Sequence, residues 1–148
     1  MAHNPAILIT RPEPQASRFA ADLGNVVDRH AISIMPLMKT VYSGTPILGE
    51  EYPFVAFTSE NGARAASRIW SGPKGTAYCV GDRTAQVAQE FGWKSISANG
   101  TGRDLAEMIA QANHSGVVLW PCGDQVRDEF IKTADRLGIK TAQNAAHE

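Results

Sequence analysis

The chain has 148 residues, 43% of them hydrophobic and 20% charged, with a net charge of −1. That suffices for one domain with a real core, or a domain plus a fragment, and it excludes a disordered chain. Lys and Arg are scattered, so no basic stripe argues for a nucleic-acid partner.

Residues 6–10 read as a strand. Residues 13–24 read as a helix with Phe19, Ala20 and Leu23 on its apolar face, Pro12 and Pro14 near its start and Gly24 at its end. Ala31–Leu37 alternates enough to be a second strand. From 39 to 53 the pattern breaks at Gly44, Pro46, Gly49 and Pro53, which predicts a linker between two lobes. A denser rhythm follows. Strand 54–57 leads to a helix over about 60–70 carrying Ala63, Ala66, Ile69 and Trp70. Strand 77–80 leads to helix 82–91, closed by Gly92. A short strand, 95–98, precedes the loop Asn99-Gly100-Thr101-Gly102 and helix 103–112. Strand 117–120 then leads to helix 124–137, closed by Gly138. After Ile139 the apolar signal fades, and residues 142–148 offer too little side chain for a buried strand.

Four of the apolar runs stop at a polar, Gly- or Pro-bearing turn before a helix: Ala6–Thr10, Phe54–Phe57, Tyr78–Val80 and Val117–Trp120. That is the pattern of β-α units on a parallel sheet, whose ligands bind at the carboxyl ends of the strands. Hydroxyls and backbone N–H groups at such helix starts suit anions. Ser59 and Thr84 fit this role, but by residue pattern alone they read first as plain helix caps. Arg11 can clamp a carboxylate or lie solvated before Pro12. Asp82 and Asp124 read as first-turn acids that favour the helix dipole, rather than as general acids. The loop 99–102 lacks the Lys-Ser/Thr ending of a P-loop, and Trp70, Trp93 and Trp120 sit beside apolar runs, as core residues do. His3, His30, His114 and His147 have no metal-site spacing. Cys79 and Cys122 read as half-buried thiols rather than as a redox pair. No apolar run approaches the roughly 20 residues of a membrane span, and the first residues lack a signal-peptide layout. A cytoplasmic protein without a membrane partner is the expectation.

Five segments in order resemble the uroporphyrinogen-III synthase family: Ile7-Leu8-Ile9-Thr10-Arg11-Pro12, Phe57-Thr58-Ser59-Glu60-Asn61-Gly62-Ala63, Val80-Gly81-Asp82-Arg83-Thr84-Ala85, Gly102-Arg103-Asp104-Leu105-Ala106 and Leu119-Trp120-Pro121-Cys122-Gly123-Asp124. The resemblance covers nearly the whole chain but only about the first half of a family member. It implies an α/β fold with a doubly wound, flavodoxin-like parallel-sheet lobe. Residues 1–38 would be the opening β-α-β piece of an incomplete first lobe, 39–53 the linker and 54–148 the second lobe. The implied activity is that of a lyase in porphyrin, haem and tetrapyrrole biosynthesis. It closes the linear tetrapyrrole hydroxymethylbilane to uroporphyrinogen III, with loss of water and inversion of ring D, and uses no cofactor. Thr10, Arg11, Thr58, Ser59, Gly81 and Thr84 would bind the substrate carboxylates, Thr84 most directly. No catalytic acid or base stands out. The family's Val-Tyr-x-Thr segment is replaced by Lys140-Thr141-Ala142-Gln143. Two other readings remain: a truncated, inactive member, and a non-catalytic doubly wound binding module. The unpaired N-terminal piece would also invite self-association.

Overall fold

Alternation within the apolar runs, more than their length, decides how this sheet is built. In Phe54-Val55-Ala56-Phe57, Val55 and Phe57 enter one buried layer and Ala56 the opposite one, because successive strand residues point to opposite faces. Ala77 and Cys79 oppose Tyr78 in the same way, and Leu119 opposes Val118, Trp120 and Cys122. A strand buried on both faces needs helices on both faces, which is the condition for a parallel sheet.

The computed structural model describes residues 6–123 and 129–147. The chain forms two units, Met1–Val41 and Tyr42–Glu148. The first contains β1 (Ile7–Ile9), α1 (Gln15–Leu23), a 3-10 turn at Arg29–Ala31 and β2 (Ile32–Ile34). Strands β1 and β2 pair in parallel, Ile7 opposite Ile32. In α1 only Ala16 is buried, and Phe19, expected on an apolar face, is exposed. Val26 is 79% exposed and Leu37 73% exposed, so this small unit covers little of its own apolar surface.

The second unit begins with β3 (Ile47–Leu48), then β4 (Phe54–Phe57), α2 (Glu60–Ile69), β5 (Trp70–Ser71), β6 (Thr76–Cys79), α3 (Asp82–Glu90), β7 (Lys94–Ser97), α4 (Gly102–Gln111), β8 (Val118–Gly123), α5 (Glu129–Arg136) and β9 (Thr141–His147). Five strands form one parallel sheet in the order β7-β6-β4-β8-β9. Helices α2 and α3 cover one face, where Ala63, Ala66, Ala85, Val87 and Ala88 meet Val55 and Phe57. On the other face α4 and α5 bring Leu105, Ile109, Phe130 and Ala134 against Tyr78 and Trp120. The sheet is therefore doubly wound. Counted within the unit, its order is 3-2-1-4-5, which matches the first five strands of the doubly wound order 3-2-1-4-5-6.

Two expectations need correction. Residues 142–148 were expected to lack a buried strand, yet Thr141–His147 pairs with β8 along its length. Ladder hydrogen bonds to a fully buried neighbour hold an edge strand whose side chains contribute little, and Ala142 still packs on the core. The stretch 39–53 was expected to be a linker, but Ile47–Leu48 pairs with Trp70–Ser71 and Ile47 is buried. The two-residue strands are too short to leave a periodic signal. Asp124, Val126 and the start of the helix expected over 124–137 lie outside the described residues, as do His3 and Glu148.

Cys79 and Cys122 form no disulfide and are both fully buried, rather than half-buried. They belong to opposite layers, with the sheet between them, so they form no redox pair. Burial pushes the Cys79 thiol up to about 12.

Candidate functional site at the strand carboxyl ends

Winding reverses between β4 and β8, the adjacent strands whose helices leave to opposite faces. A crevice forms at the carboxyl end of a parallel sheet at such a point. Here it is a cleft of about 330 Å³ lined by Thr58, Val80, Gly100, Thr101, Gly102, Glu129 and Phe130. Thr58 follows β4, Val80 follows β6, and the 100–102 loop joins β7 to α4.

Each corner has a local cause. Ser59 is extended (φ −156°) and its Oγ accepts the Gly62 N–H at 3.0 Å, which starts α2. Gly62 allows this start to lie close against β8, since a Cβ there would be 2.9 Å from the Pro121 carbonyl oxygen. Thr58 Oγ1 accepts the indole N–H of Trp120 at 3.1 Å. That bond uses the oxygen as an acceptor and leaves the hydroxyl hydrogen available to the cleft. Thr101 and Asp104 form a reciprocal capping box at the start of α4. The Thr101 Oγ1 accepts the Asp104 N–H, and Asp104 Oδ2 accepts the Thr101 N–H at 2.6 Å and its hydroxyl at 2.9 Å.

These bonds from Thr101 hold the Asp104 carboxyl below the usual carboxylate range. The folded state binds that proton less readily than the unfolded chain. The stabilisation is therefore complete above the ordinary value of 3.8 and lost as pH falls through the depressed one. Denaturation midpoints of the wild type and Asp104→Asn should differ near neutrality and converge in acid. A constant gap across the acid range would assign the effect to something other than this carboxylate.

Of the six residues expected to bind substrate, Thr58 lines this cleft. Ser59 and Gly81 are the N-caps of α2 and α3, and Gly81 has open space where a side chain would be. Thr84 lies in the first turn of α3 and is 5% exposed. Thr10 and Arg11 are exposed in the first unit, with the Arg11 guanidinium 5.7 Å from the Phe19 ring centre. Asp82 is exposed in the first turn of α3. Trp120 and Trp93 are buried, and Trp70 packs edge-on against Trp93, so all three serve the core. The sequence reading set the 99–102 loop aside as a plain loop and counted none of Thr101, Gly102 and Phe130 among the site residues. The Thr-x-x-Asp spacing at 101–104 was the available signal for the first.

Among the described residues no three His, Cys, Asp or Glu side chains gather where they could hold a metal ion. No helix among them is long and apolar enough to cross a membrane. No curated protein matches the chain. The profile of a lyase family, uroporphyrinogen-III synthase HemD, matches residues 24–146, which include every residue lining the cleft. The chain belongs to the uroporphyrinogen-III synthase family.

Proposed function

We propose that this chain acts on hydroxymethylbilane, closing it to uroporphyrinogen III, and that it holds the substrate carboxylates at the carboxyl ends of β4 and β6. The observation that carries this reading is the Thr58 corner. Its hydroxyl is oriented by Trp120 at the point where the sheet's winding reverses, inside the segment that matches the family. The substrate loses its hydroxyl through electron donation from its own pyrroles. The protein's task is then to bring the two ends together and to select which carbon of ring D reacts. Neutral hydroxyls and helix-start N–H groups suit that task, because they bind carboxylates without burying counter-charges. Thr58, Ser59 and the turn Gly81–Thr84 fill this role in the second unit. Thr10 and Arg11 offer a separate carboxylate contact in the first. Residues 1–38 are read as the opening of a first lobe and 54–148 as the second lobe.

Product analysis separates the possibilities, because spontaneous closure gives the type I isomer and guided closure gives type III. Purified protein with hydroxymethylbilane should yield type III, and Thr58→Val should shift the product towards type I. Only type I from folded wild-type protein would overturn the reading and favour a non-catalytic binding module.

A further inference from the structure

The opposite end of the sheet holds a second cleft that the proposed chemistry does not use. It measures about 320 Å³, lies at the amino ends of β8 and β9, and is bounded by the loops that follow α4 and α5. Its volume falls in the range of small-molecule sites. Ile109 and Val118, both buried, supply its apolar floor, and Leu137 and Ile139 add to the wall.

The polar groups share one character. Asn113, His114, Ser115 and Lys140 line the cleft, and no acidic residue does. Among the described residues the Lys140 ammonium, the Ser115 hydroxyl and the Asn113 amide have no partner. His114 is held firmly. Its ring stacks on Phe54 at 3.8 Å between centres, and its Nε2 is hydrogen-bonded to the Tyr78 hydroxyl. Burial raises the Tyr78 pKa, so the phenol keeps its proton and can donate it. A protonated phenol can donate to Nε2 or accept from it, and Nδ1 has no partner among the described residues.

Two helix C-termini end here, and their carbonyl dipoles would repel an anion if left open. The turns that follow both helices take up part of them. Ala112 N–H bonds the Met108 carbonyl and Asn113 N–H that of Ala110. At the end of α5, Leu137, Gly138 and Ile139 bond the carbonyls of Thr133, Asp135 and Ala134. Positive charge and donors then stand over an apolar floor.

We infer that this cleft binds a small organic carboxylate, its anionic head on Lys140 and the 113–115 loop and its apolar body on Ile109, Val118, Leu137 and Ile139. The site is separate from the Thr58 corner and does not depend on the reaction proposed there.

The test is a titration of the full ¹⁵N-labelled chain with hexanoate, its neutral isostere hexanamide, and inorganic phosphate. Hexanoate should shift amide signals of 113–116 and 138–140, and bind at least about tenfold tighter than hexanamide or phosphate. Lys140→Gln should remove the preference for hexanoate over hexanamide, and Lys140→Arg should retain it. Tyr78→Phe, which releases His114, should weaken hexanoate several-fold with the far-UV circular dichroism unchanged. Equal affinity for hexanoate and hexanamide would overturn the inference. So would phosphate binding as tightly as hexanoate, or shifts confined to other parts of the chain.

Discussion

Trp120→Ala should destabilise the second unit by about 3–5 kcal/mol, the cost of removing a fully buried aromatic ring. Trp120 is 1% exposed and packs on Phe130 with ring centres 5.3 Å apart, so its loss leaves a void between β8 and α5. It also strips the Thr58 oxygen of its donor. Trp120→Phe separates the two effects. It keeps most of the ring contact and loses the indole N–H, and should cost about 1–2 kcal/mol less than the alanine variant. Denaturant midpoints followed by circular dichroism supply the comparison. An alanine variant within experimental error of the wild type would mean that the layer between the sheet and α5 is not packed as described.

Gly75→Ala is the second large effect. A Cβ at this position would be 2.0 Å from the Pro53 carbonyl oxygen and 2.7 Å from its carbonyl carbon. The same oxygen accepts the Thr76 N–H at 3.0 Å, the bond that sets the register in which β6 joins β4. Backbone has to move to admit one methyl group, so the expected loss is about 1–3 kcal/mol, with the β4–β6 pairing weakened at its start. Gly81→Ser serves as the control. Its added atoms meet open space at an N-cap, and it should be neutral or slightly stabilising. Equal midpoints for the two variants would contradict the close approach at Gly75.

Strands buried on both faces and helices closed by glycine at Gly92 and Gly138 were legible in the sequence because each follows from local chemistry. The Ser59 cap was legible for the same reason. What escaped was decided by pairing. Strand β9 is held by its ladder to β8 and carries small side chains, so periodicity had little to register. Ile47–Leu48 is a strand only because Trp70–Ser71 lies beside it. The bond from Trp120 to Thr58 joins residues far apart in the chain, and only the strand order brings them together. The same applies to Phe54, Tyr78 and His114, which read in sequence as two core positions and an isolated histidine.

Strand order also sets a timetable for a chain that emerges from its amino end. Strands β4, β6 and β7 are neighbours in that order, so they can pair with α2 and α3 in place while later residues are still being added. The face bearing Ala56 and Tyr78 stays uncovered until α4, β8 and α5 are made, and the edge of β4 stays open until Phe54 can pair with Val118. Closing so long a loop is slow, and the free edge of β4 is open to pairing with other chains meanwhile. The pairing that creates the Thr58 crevice is thus also the one that ends the nascent chain's most aggregation-prone interval.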